Sequence, residues 1–140
     1  MATVKMSELL KGGKWLGKVN PQKITAMEIL LNVRFPSDYK KFIAQYGSGI
    51  KNGTEIYGFH PNVIADENVL GHTIKMRNKY YEKIGHKKNY VFISEIGDGG
   101  HIFIDTNDGS VNEIYFMGNI KSRKIANSFM EWLVKKFYKK

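Results

Sequence analysis

The chain has no cysteine, and only three prolines and three arginines among its 140 residues. Without thiols there is no disulfide framework, no thiolate metal site and no sulfur nucleophile. Such usage fits a reducing compartment. No stretch reaches the roughly 18 apolar residues that a membrane-spanning helix requires. Met1 to Leu10 carries Lys5, Ser7 and Glu8 with no sustained apolar run, so a cleaved leader is not expected. The reading from these absences is a soluble, cytoplasmic protein. Arginine is confined to Arg34, Arg77 and Arg123, which disfavours sequence-specific DNA binding, because arginine is the usual bidentate reader of base edges and phosphates.

Lysine and aromatics are abundant. Lys+Arg number 22 against 13 Asp+Glu, a net charge of +9. That field attracts nucleic acid, an anionic membrane or an acidic protein surface. A solvated lysine-rich surface explains it equally well. Aromatics make up 13% and hydrophobic residues 42%, which argues against disorder. One domain over residues 1–140, with a real core, is expected.

Residues 36–47 give the clearest local signal. Pro36 suits a first helical turn, where an N–H has no partner. Ser37 or Asp38 can accept from the free N–H groups there. Tyr39, Phe42, Ile43 and Tyr46 fall on one face, and Gly47 can close the helix. An earlier helix starts near Asn20–Pro21, with Ile24, Met27, Leu30 and Leu31 as its stripe. Residues 1–19 read as irregular, with Trp15–Leu16 as an anchor. A strand is predicted at 54–59 and a helix at 63–83, the latter weakened by Gly71. Three strands follow, at 90–96, 101–105 and 113–117. Turns at Gly97-Asp98-Gly99-Gly100 and Asn107-Asp108-Gly109 join them, with residues that tolerate positive φ. A last helix is predicted over roughly 122–137. The order α-α-β-α-β-β-β-α implies an α+β domain, an antiparallel sheet packed against helices.

Four motifs carry a resemblance. They are Pro36-Ser37-Asp38-Tyr39 leading to Tyr46-Gly47-Ser48-Gly49; Ile56-Tyr57-Gly58-Phe59; Ile96-Gly97-Asp98-Gly99-Gly100 with Ile102-Phe103-Ile104-Asp105 and Asn107-Asp108-Gly109; and Ser128-Phe129-Met130-Glu131-Trp132-Leu133. In this order, over about residues 24–137, they resemble the SUKH superfamily, the Smi/Knr type of domain. The resemblance implies a SUKH-like fold. Among bacterial members it implies an immunity protein that binds and neutralises a cognate secreted polymorphic or LXG-type toxin. It implies no catalysis and no cofactor. The net charge departs from the acidic character common in inhibitors of nuclease toxins, and an acidic toxin domain suits it better. A basic nucleic-acid-associated protein and a regulatory scaffold for cellular proteins are the rival readings.

Individual motifs add little chemistry. Asp105–Gly109 begins like a calcium loop, but Gly109 falls fifth and Phe116 twelfth, where such a loop needs Gly sixth and Glu twelfth. Gly97–Gly100 lies between two strands and lacks the Lys-Ser/Thr ending of a phosphate loop. His60, His72, His86 and His101 show no ligand spacing, so no metal site is expected. No nucleophile elbow or paired-carboxylate motif is present, and no enzyme is expected. Lys135, Lys136, Lys139 and Lys140 complement the last helix's dipole. The residues assigned to partner binding are Glu55, Tyr57, Asp98 and Asp105. Tyr57, Phe59, Tyr80, Tyr81 and Tyr90 are candidates for aromatic contacts.

Overall fold

A computed structural model describes residues 4–61, 68–80, 82–83 and 89–138. The start of the predicted helix at 63–67, Tyr81 and His86 lie outside the described residues. The elements in chain order are α1 (Met6–Leu10), β1 (Lys14–Trp15), α2 (Pro21–Leu31), α3 (Ser37–Tyr46), β2 (Gly49–Lys51), β3 (Thr54–Ile56), α4 (Val69–Lys79), β4 (Tyr90–Glu95), β5 (Gly100–Asp105), β6 (Ser110–Tyr115), β7 (Lys121–Ala126) and α5 (Phe129–Phe137). They form an α+β fold with two antiparallel sheets, β1-β2-β3 and β4-β5-β6-β7.

The helix ends follow their local chemistry. The Asn20 side chain accepts from the Gln22 N–H at 2.8 Å, and Pro21 occupies the first turn of α2. Asn32 closes α2 in the left-handed conformation, φ 57°. Along α2, Ile24, Met27 and Leu31 are buried, but Leu30 is 67% exposed and so is not part of the stripe. Asp38 accepts from the Tyr39 N–H with one oxygen and from the Met130 N–H with the other, pinning α3 to the start of α5.

The C-terminal third adds a strand to the predicted order and shortens the last helix. Residues 121–126 are strand β7, and α5 begins only at Phe129. The Ser128 hydroxyl accepts from the Glu131 N–H at 3.0 Å, and Glu131 reaches back to the Asn127 N–H. That reciprocal cap fixes the helix start, leaving the preceding residues to pair with β6. Strand β1 and helix α1 stand within residues 1–19, which the pattern reads as irregular, and β2 is a further strand that the pattern does not show; all three are too short to show a period.

The four-stranded sheet has two different faces. Val91, Ile93, Ile102, Ile104 and Val111 join the main core with α1, α2, α3 and α5. Phe92, Phe103, Ile114 and Phe116 face the other way, under Met76 of α4. Strand alternation explains this division. In the main core Tyr39, Phe42 and Phe129 are fully buried, and their ring centroids lie 5.2–6.2 Å apart. The Tyr39 hydroxyl donates to the Tyr57 carbonyl at 2.5 Å, and the Tyr57 N–H donates to the Ile93 carbonyl at 2.7 Å. Backbones approach closely beside this joint. Gly47 has φ 76°, and a Cβ on Gly58 would overlap the Gly47 carbonyl oxygen.

Phe42→Ala is expected to cost about 3–5 kcal/mol through transfer and cavity terms. Tyr39→Phe, which strands the Tyr57 carbonyl, is expected to cost about 1–3 kcal/mol. Urea denaturation of the two variants measures both, and a Tyr39→Phe effect near zero contradicts the joint.

Candidate partner-binding surface

Glu55 and Tyr57 sit where the two sheets meet. The Ser94 hydroxyl donates to the Glu55 carbonyl at 2.5 Å, fastening β3 to β4. The Glu55 carboxylate is left exposed. Tyr57 is only 6% exposed, and its ring lies 4.7 Å from that of His72 on α4. Burial, then the charges of Glu95 and Glu55, push the Tyr57 phenol well above its ordinary range, so it stays a protonated donor between the two carboxylates. Tyr57 therefore supports this corner from beneath and offers a partner little surface.

The next turn carries Asp98, which is exposed and interacts with the Tyr115 hydroxyl. Glu55, Tyr57 and Asp98 thus belong to one end of the molecule. Asp105 belongs to the other end of β5. Its Oδ1 accepts from the Asn89 side chain at 2.5 Å and from the Asn107 N–H at 3.0 Å, so it shapes the β5–β6 turn.

A bulge decides which residues share the first corner. Phe92 pairs with Phe103, but Ser94 pairs with Ile102 and Glu95 with His101. The extra residue, Ile93, shifts the parity of the strand. Without it Glu95 would point into the main core; with it Glu95 stands beside His101 on the α4 face. The Thr73 hydroxyl on α4 takes the Phe92 N–H at 3.0 Å, just before the bulge. His72, Glu95 and His101 come together this way, although 29 residues of sequence or a strand turn separate them. Burial holds the His101 imidazole below its ordinary pKa; Glu95 opposes this, and Lys79 and Lys75 reinforce it.

A second surface was not legible in the sequence. Lys121, Ser122, Arg123 and Lys124 are all exposed along β7, the edge strand beyond β6. Arg123 pairs with Glu113 across the strands. Charged edge strands resist unwanted pairing with other sheets. The helical assignment of these residues hid this row of cations. Arg77, by contrast, is spent inside the fold, where it donates to the Leu31 carbonyl at the end of α2 at 2.8 Å. On α2, Ile29 is 73% exposed beside Leu30, above a groove of about 650 Å³ lined by Thr25, Glu28, Asn32 and Arg34. No helix among the described residues is long and apolar enough to cross a membrane.

Together these features define an α+β domain of two joined antiparallel sheets, with helices on both faces of the larger one. The chain belongs to the SUKH family: the model SUKH_6, described as SMI1-KNR4 cell-wall, matches residues 21–133. No curated protein matches the chain. The family match begins at α2, so α1 and β1 precede it. Membership in this family points to a protein partner.

The two groups of acidic residues are expected to separate under mutation. Asp105→Ala, which removes two turn contacts, lowers stability by about 1–2 kcal/mol. Glu55→Ala, at an exposed site, changes it by less than about 0.5 kcal/mol. Chemical denaturation distinguishes them, and equal losses contradict the assignment of Asp105 to the turn.

Proposed function

We propose that this chain is an immunity protein that binds and neutralises a cognate secreted toxin of the polymorphic or LXG type. The family match over residues 21–133 carries this reading. Neutralisation is stoichiometric: the chain covers or distorts the toxin's working surface and performs no reaction itself. A stable complex of this kind buries roughly 800 Å² on each partner. The exposed cations of β7 support an acidic toxin domain as the partner, because complementary charge raises the association rate and excludes wrong partners.

The same cations favour one rival, a nucleic-acid-associated protein. The two differ in salt response. A complex built on phosphate contacts loses affinity with a slope of about −0.9 for each phosphate neutralised. A packed protein interface keeps most of its affinity.

Calorimetric titration against a candidate toxin domain taken from a neighbouring gene tests the proposal. The expected result is a one-to-one complex that persists at moderate salt and abolishes toxin activity. Lys121→Glu with Lys124→Glu is expected to weaken it by about tenfold, mostly through slower association. Absence of binding to that toxin overturns the proposal. Salt-sensitive binding to DNA or RNA alone supports the rival.

A further inference from the structure

The corner formed by α4 and the β4–β5 hairpin has the makings of a metal site, and this inference does not depend on the toxin reading. His72, Glu95 and His101 each offer one ligand atom, and these atoms all lie within 4.8 Å of one another. His72 Nε2 and Glu95 Oε1 are 3.6 Å apart. A tetrahedral zinc ion with bonds of about 2.0–2.2 Å sets its ligand atoms about 3.3–3.6 Å apart. The His72–Glu95 separation already matches an edge of that tetrahedron, and the other two, within 4.8 Å, must shorten to it when the ion binds.

Three further observations concern how the corner is built. The Ile93 bulge re-aims Glu95 from the core to the side of His101. Bulges of this kind recur next to functional sites, where they redirect a side chain. His101 Nδ1 is buried and has no hydrogen-bond partner among the described residues. A buried imidazole nitrogen in that condition costs free energy unless something binds it. Tyr57 lies between Glu55 and Glu95, with its ring on His72, where an outer residue can orient both a ligating carboxylate and a ligating imidazole.

We propose that His72, Glu95 and His101 bind a divalent transition metal ion, zinc in the first instance, joining α4 to the end of the β4–β5 hairpin. Two imidazoles and one carboxylate suit zinc, with copper, nickel and cobalt as competitors, and do not suit magnesium or calcium, which prefer all-oxygen sites. Three protein donors leave one tetrahedral position for water or an incoming ligand. Lys75 and Lys79 act on His101 from the same helix as His72, so the Glu95 carboxylate is the anionic ligand that offsets their field.

The test uses the untagged 140-residue chain, stripped with chelator and titrated calorimetrically with zinc chloride. Melting temperature is recorded with and without zinc. Wild type is expected to bind one equivalent and to melt higher with zinc, with no response to magnesium. His101→Gln and Glu95→Gln are each expected to bind more than about tenfold more weakly, since losing a ligand costs at least as much as losing a residue that orients one, and to lose the rise in melting temperature. His60→Gln is expected to bind like wild type. Glu95 has a side chain 50% exposed, so Glu95→Gln keeps the test decisive even where His101→Gln fails to fold. No saturable zinc binding, or equal binding by wild type and Glu95→Gln, overturns the proposal.

Discussion

The hydrogen bond from the Tyr39 hydroxyl to the Tyr57 carbonyl, buried and 2.5 Å long, meets a second one at the same residue, from the Tyr57 N–H to the Ile93 carbonyl. Through these two bonds one residue ties α3, the three-stranded sheet and the four-stranded sheet together. The surrounding backbone depends on that closeness. Phe59 donates to the Gly47 carbonyl at 2.9 Å, and Ser48 Oγ donates to Ile56 while accepting from Gly58. Side chains at positions 47 and 58 would force these two segments apart. Burial keeps the Tyr39 phenol far above its ordinary pKa, so its donor persists throughout the neutral range.

From this joint the sheet acquires its division of labour. One face feeds the aromatic core of α3 and α5, and the other holds Phe92, Phe103 and Phe116 beneath α4. Alternation lets a single strand serve both sides, and the bulge at Ile93 delivers Glu95 to the histidine pair. Charge follows the same economy. Arg77 and Arg123 are engaged within the molecule, whereas the lysines of β7 face solvent. A surface made of lysine on an edge strand suits steering and selectivity better than base readout.

The sequence made the first two main helices, the central strands and both hairpin turns legible, because Asn20–Pro21, Pro36 with Gly47, and the Gly/Asn/Asp turns are local signals. It also contained the true start of α5 in the spacing of Ser128 and Glu131. The apolar Ile125, which falls at helical spacing from Phe129, drew the predicted helix too far upstream and concealed β7. Strands β1 and β2, two and three residues long, have no periodicity to detect. Glu55, on a short strand, and Asp98, in a tight turn, are both exposed. The gathering of His72, Glu95 and His101 required the helix–sheet packing and the bulge, neither of which leaves a spacing signature.

The proposed activity rests on occlusion by a whole surface, and that is where it is most exposed to test. Residual toxin activity, measured as this protein is added in increasing molar ratio, distinguishes occlusion from catalysis directly. The account predicts a linear fall to zero at one equivalent, with activity restored when the complex is dissociated. Complete inactivation by a small fraction of an equivalent, or toxin that stays inactive after separation, would contradict it.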